Sequence, residues 1–270
     1  MTSTVIAQRD FHPLRRTQLA RYRNSLWLLT RRDLKVRYST SMLGYFWSIL
    51  DPLIMAAIYW FVFTQVFERP ARTEPYVVFL LAALLPWVWF NSAISDCTKA
   101  FLKDAKLVRS TMIPRSIWVT KLILHKGIEF LLSLPVLALF VIFTGAQVRW
   151  QIVYFLVAMG LQTVLMVGVG LIVAPLVVFF GDLERAFKLV LRFMFYASPV
   201  VYGTTNLPPQ LHGWAALNPL SGIFELYRAA FFPNQVNLYD VVVAATISVI
   251  LLVVGFWFFR ASERQVLKDI

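Results

Sequence analysis

Residues 42–66 read MLGYFWSILDPLIMAAIYWFVFTQV, with Asp51 the one formal charge in the run. At about 1.5 Å of rise per residue, a helix this long crosses a hydrocarbon core of about 30 Å with length to spare. Comparable apolar runs follow at 76–95, 117–144, 152–180, 187–202 and 241–259. They predict an all-α integral membrane protein with six transmembrane helices. Residues 1–41 then form a cytoplasmic N-terminal region, 42–260 the transmembrane domain and 261–270 a cytoplasmic tail. Composition agrees, with 59% hydrophobic and only 15% charged residues, whereas a soluble domain averages roughly 25% charged.

The net charge of +12 raises the question of nucleic acid, and the distribution of the basic residues answers it. With the N-terminus placed in the cytoplasm, 21 of the 26 Lys and Arg fall in the inner loops and tails. Arg69, Arg72, Arg149 and Arg228 fall outside, and Lys126 lies within a span. That asymmetry is a topology signal, with both termini inside and no nucleic-acid face. Residues 1–25 are basic and polar without an apolar core, which predicts no cleaved leader. Cys97 is the only cysteine, so neither an intrachain disulfide nor a cysteine metal site is expected.

Between residues 18 and 37, Leu19, Tyr22, Leu26, Leu29 and Asp33 recur at helical spacing among Arg21, Arg23, Arg31, Arg32, Lys35 and Arg37. The pattern predicts an amphipathic interface helix on the inner leaflet. Its basic residues serve either headgroup attraction, at about 1 kcal/mol each, or an anionic substrate. Residues 98–115 set Phe101, Leu102, Ala105 and Val108 against Lys99, Lys103, Lys106 and Arg109, and close at Pro114. This reads as a short cytoplasmic helix, although periodicity alone fits a membrane-surface loop better than a docking element. Residues 203–237 carry Leu207-Pro208-Pro209, Trp214, Asn218-Pro219, Phe224, Tyr227 and Phe231, and predict two short helices dipping back into the outer leaflet. Irregular backbone at that depth needs protein or a water-filled cavity around it, which points to a path for a polar substrate.

A charge at mid-bilayer costs about 2.5 to 3.5 kcal/mol on insertion scales. Lys126 and Glu129, three residues apart beside His125, are read as neutralising one another. Asp51, followed by Pro52, is read as facing a conduit. Trp150, Tyr154 and Trp257 fit interfacial belts. Tyr45, Trp47, Tyr59, Trp60 and Phe63 in the first span, with Phe193, Phe195, Tyr196 and Tyr202 in the fifth, exceed what belts need. Sugar rings lie well on aromatic faces, so Tyr45, Asp51, Tyr59, Phe63, Tyr196 and Tyr202 are the candidate glycan conduit. Lipid-facing packing explains any one of these rings equally well.

Catalytic and metal chemistry find no footing. His12, His125 and His212 have no metal-ligand spacing, and no GxxxxGK[ST] phosphate loop is present. ATP must be bound by another polypeptide.

The stretches Arg32-Asp33-Leu34-Lys35-Val36-Arg37-Tyr38, Ser41-Met42-Leu43-Gly44-Tyr45-Phe46-Trp47 and Asp51-Pro52-Leu53 resemble the opening of ABC-2 type permeases that export polysaccharides. Tyr196-Ala197-Ser198-Pro199-Val200-Val201-Tyr202, then Leu207-Pro208, Trp214, Asn218-Pro219-Leu220 and Tyr227-Arg228, resemble a block shared by O-antigen, capsule and teichoic-acid export permeases. Actinobacterial cell-wall galactan exporters are similar too. The likeness runs from about residue 25 to 260, with a departure at Gly181-Asp182-Leu183, where relatives often carry Arg-Asp-Ile. It implies a coupling helix at 98–115 that docks an ATPase through Phe101, Lys103, Lys106 and Arg109, and re-entrant gate helices before the last span. It also implies a homodimer with two ATPase subunits, ATP and Mg being held on those partners, in a bacterial cytoplasmic membrane. The cargo it implies is a polyprenyl-diphosphate-linked glycan admitted near Arg31, Arg32, Lys35 and Arg37. An exporter of drugs or small lipids shares this topology but lacks the combined terminal blocks. A membrane glycosyltransferase needs catalytic carboxylates that this chain scarcely offers.

Overall fold

The computed structural model describes residues 18–39, 46–62, 75–111, 113–204 and 207–270, and within them every regular element is helical. Four helices are long and apolar enough to cross a membrane: α3 (Tyr76–Cys97), α5 (Ser116–Thr144), α6 (Val153–Phe179, preceded by a 3-10 turn at Trp150–Ile152) and α10 (Leu238–Asp269). Six shorter or more polar helices join them: α1 (Gln18–Ser39), α2 (Trp47–Phe61), α4 (Ala105–Ser110), α7 (Leu183–Ala197), α8 (Pro209–Ala216) and α9 (Pro219–Arg228).

Helices α3, α5, α6, α9 and α10 form the packed body. Without a hydrophobic drive between helices in lipid, close contact relies on small residues. A Cβ on Gly255 of α10 would collide with the Gly168 carbonyl of α6, and one on Gly222 of α9 would collide with the Asp240 carbonyl of α10. Aromatic rings fill the space between α3, α5, α6 and α9. Trp89 stacks on Phe130 at 4.9 Å between ring centres, and Phe155 meets Tyr227 edge-on at 4.6 Å. The Trp89 indole also donates to the Ile123 carbonyl at 3.2 Å.

Three expectations change in detail. The fifth apolar run is a helix over Leu183–Ala197 rather than 187–202, and Tyr202 lies in the turn beyond it. The element expected over 98–115 is helical only at Ala105–Ser110, because residues 98–104 turn and Thr111 is extended. Within the first apolar run the described helix is Trp47–Phe61, and Tyr45 and Phe63 lie outside the described residues.

Candidate translocation site

Helix α7 is too short, at 15 residues or about 22 Å, and too charged to stand out as a span. Its two ends are nevertheless tied to opposite ends of α3. Glu184 pairs with Lys99, just past Cys97, at 3.2 Å. Beyond the far end of α7, the Val201 carbonyl accepts from the Tyr76 hydroxyl at 3.1 Å. With the turn that follows it, α7 therefore reaches from one end of α3 to the other. Only Leu191 of α7 is buried, while Leu189, Val190, Phe193 and Tyr196 are exposed.

Beside it, α2 exposes Trp47, Ile54, Ile58, Trp60 and Phe61, and Asp51 is exposed four residues into that helix. The two helices meet where the Tyr59 ring approaches Phe195 at 5.6 Å. Phe195 also touches Trp87 of α3 at 5.5 Å and Tyr196 at 5.2 Å. The Tyr202 hydroxyl donates to the Tyr196 carbonyl at 3.1 Å. Of the candidate conduit residues, Tyr59, Tyr196 and Tyr202 are thus brought to one aromatic junction, and Asp51 lies about 12 Å lower along α2. The open face of α2 and α7 offers rings for stacking and carries charged side chains that lipid would not accept.

Past α7 the chain is irregular, and its polar backbone is satisfied by side chains. Arg228, 2% exposed, donates to the carbonyls of Pro199 (2.8 Å), Val200 (2.7 Å), Tyr202 (3.3 Å) and Phe79 (3.1 Å), with its guanidinium 3.6 Å from the centre of the Phe79 ring. Asn218 donates to Ser198 Oγ at 2.8 Å and accepts from the Leu220 amide to cap α9. Thr204 donates to Glu225 Oε1 at 2.6 Å, and the Asn237 amide donates to Glu225 Oε2 at 2.9 Å. Buried carbonyls need donors, and here a single arginine supplies four. Arg228, counted among the outer basic residues, is a core residue. Its signal in the sequence is its position directly after the apolar pair Leu226-Tyr227 at the end of a Pro-initiated helix. Charge counting gives it a side of the membrane and is silent on burial, because counting does not see carbonyls.

At the opposite end, Arg32 donates to Asp33 Oδ1 at 2.7 Å and reaches Asp104 Oδ2 at 3.1 Å. Lys121, with its side chain 2% exposed, holds Asp33 at 2.8 Å and Asp104 at 2.7 Å. Burial pushes the Asp33 carboxyl up, but hydrogen bonds from Lys121 and Arg32 outweigh it and leave the group below the ordinary carboxylate range. This network fastens α1 to α5 and to the cap of α4. Of the four basic residues read as a diphosphate site, Arg32 is thereby engaged, Arg31 and Lys35 are exposed, and Arg37 lies on α1 with its side chain outside the described set. Among the coupling candidates, Phe101 is buried and stacks on Phe259 at 6.1 Å, whereas Lys103, Lys106 and Arg109 are exposed. Lys126 does pair with Glu129, at 3.0 Å, and Glu129 also holds His125 at 3.2 Å.

Residues 24–232 match the family of ABC-2 type transporters. An O-antigen export system permease protein of Klebsiella pneumoniae is 34% identical over 89% of this chain and 92% of its own length. A protein of the same description from Myxococcus xanthus is 27% identical over 94% and 98%. A polysialic acid transport protein of Escherichia coli is 24% identical over 88% and 93%. Together with four helices suited to crossing a membrane, the match establishes this chain as a multi-pass membrane protein belonging to the ABC-2 type transporter family.

Proposed function

We propose that the chain is the membrane-spanning permease subunit of an ABC exporter for a cell-surface polysaccharide of the O-antigen or capsule class. The observation that carries the reading is the aromatic junction between α2 and α7, where half-buried Tyr59 and Phe195 meet the exposed ring of Tyr196. Rings give a sliding glycan contact without directional bonds that would arrest it. Counting α2 and α7 with the four apolar helices makes six spans. The Lys and Arg asymmetry then places both termini in the cytoplasm of a bacterium, with α1 at the inner interface and α8 and α9 as re-entrant gate helices.

Two copies enclose the conduit between their α2 and α7 faces, and two ATPase subunits bearing ATP and Mg dock at the exposed Lys103, Lys106 and Arg109. Phe101 holds the docking loop on α10 from inside. The cargo is a polyprenyl-diphosphate-linked glycan, for which a cell-wall galactan is one narrower form. Deleting the gene and measuring lipid-linked glycan in the cytoplasm tests this: accumulation reversed by the intact chain is expected, and an unchanged surface glycan contradicts it. The double change Lys103→Glu and Lys106→Glu should abolish at least about nine-tenths of export while membrane insertion stays normal. Export at wild-type level would remove the docking role.

A further inference from the structure

We infer that Arg185 and Arg192 of α7 form a diphosphate track along the open face, a site that rests on the proposed export function and specifies where the cargo's charged linkage travels. The two arginines are seven residues apart, so they share one stripe of the helix, and Tyr196 continues it one turn further on. Both are exposed, and neither forms an ion pair or hydrogen bond among the described residues. The acidic groups nearby are already engaged or lie at the helix start: Glu184 holds Lys188 at 2.6 Å and Lys99 at 3.2 Å, and Asp182 precedes the helix.

Depth makes the two free guanidinium groups informative. With α7 counted as a span and tied to both ends of α3, Arg192, nine residues into the helix, stands about 13 Å from its start and so well inside the membrane. An unpaired arginine facing hydrocarbon there is expensive, so this stripe faces water, a partner or an anionic cargo. A planar guanidinium takes two phosphate oxygens at once, and a second one about 10 Å along receives them after a short advance. The stripe runs from the Lys99 end, where charge is tolerated, to the aromatic junction at Tyr196 and Phe195. Its order therefore matches a headgroup that leads and sugars that follow across rings.

The test uses the permease with its cognate ATPase in lipid nanodiscs and reads ATPase stimulation by an undecaprenyl-diphosphate-linked oligosaccharide and by its monophosphate analogue. Arg192→Gln should raise the half-stimulating concentration of the diphosphate form about tenfold and that of the monophosphate form much less, while Arg192→Lys keeps an intermediate value. Arg185→Gln should act in the same direction. A wild-type response to the diphosphate probe in Arg192→Gln overturns the track. So does a loss that is equal for both probes, that is restored by raising the anionic phospholipid content, or that accompanies dissociation of the two copies. Failure of the unmodified complex to respond to either probe overturns the export reading itself, and the track with it.

Discussion

The turn after α7 and the helix α7 itself are adjacent in sequence and opposite in construction. Over residues 198–204 the backbone is irregular, yet Arg228, Asn218 and Glu225 of α9 and its cap, with Tyr76 of α3, engage its polar groups. Over Leu183–Ala197 the backbone is regular, yet a single side chain is buried. Regular secondary structure therefore does not mark the rigid part of this molecule. A helix that satisfies its own hydrogen bonds is free to stand apart from the body, whereas a turn at membrane depth must be held by it. We read the turn as the fixed post and α7 as the element exposed to cargo and partner.

The largest effect is expected where the post is broken. Arg228→Met removes the donor to four carbonyls and leaves them buried, at a cost of roughly 3 kcal/mol or more. Thermal unfolding in detergent should show a lower midpoint and a poorly monodisperse protein. Arg228→Lys cannot reproduce the planar fork and should recover only part of the loss. A stable Arg228→Met protein would mean that the turn holds itself.

On the open side, folding should be nearly indifferent and transport should not. Tyr59→Ala and Tyr196→Ala each remove a stacking surface worth about 1 kcal/mol, and Tyr→Leu keeps bulk for lipid while losing the ring face. Both kinds of change should leave the melting midpoint close to wild type and raise cytoplasmic lipid-linked glycan several-fold. Normal export by both Leu variants would assign these rings to lipid packing.

The smallest effect belongs to the ion pair that ties α7 to Lys99. Glu184→Gln removes exposed pairs with Lys99 and Lys188, and exposed pairs contribute under about 1 kcal/mol. Stability should scarcely change, but hydrogen exchange in the first turn of α7 should quicken. An equal acceleration in residues 198–204 would show that the two regions are not separate.

The apolar runs made the four long helices legible, and Tyr22, Leu26, Leu29 and Asp33 at helical spacing made α1 legible, because periodic burial leaves a periodic pattern. Two features were not legible in the same way. The limits of α7 are hidden because its charged first turn, Leu183 to Arg185, looks like a loop, and Tyr202 looks like the end of the span; the fixed post beyond Ala197 depends on residues that are distant in sequence. The role of Arg228 is hidden because its carbonyl partners at Phe79, Pro199, Val200 and Tyr202 are distant in sequence. Similarly, Arg32 and Lys35 are alike in the sequence, and only the position of Asp104, 72 residues from Arg32, separates the engaged one from the exposed one. The aromatic surplus in the first and fifth apolar runs did lead to the junction of Tyr59 and Tyr196, since rings beyond the needs of belts and core must find some other surface.

The central claim is that α7 crosses the membrane with its charged stripe on an aqueous path. The direct measurement is single-cysteine scanning of residues 184–197 in a Cys97→Ala background with a membrane-impermeant thiol reagent, in the assembled transporter. Labelling that peaks at positions 185, 188, 192 and 196 and falls at 191 and 194 is the predicted result. Uniform protection from 187 to 197, as for a helix wholly in lipid or protein, would contradict it.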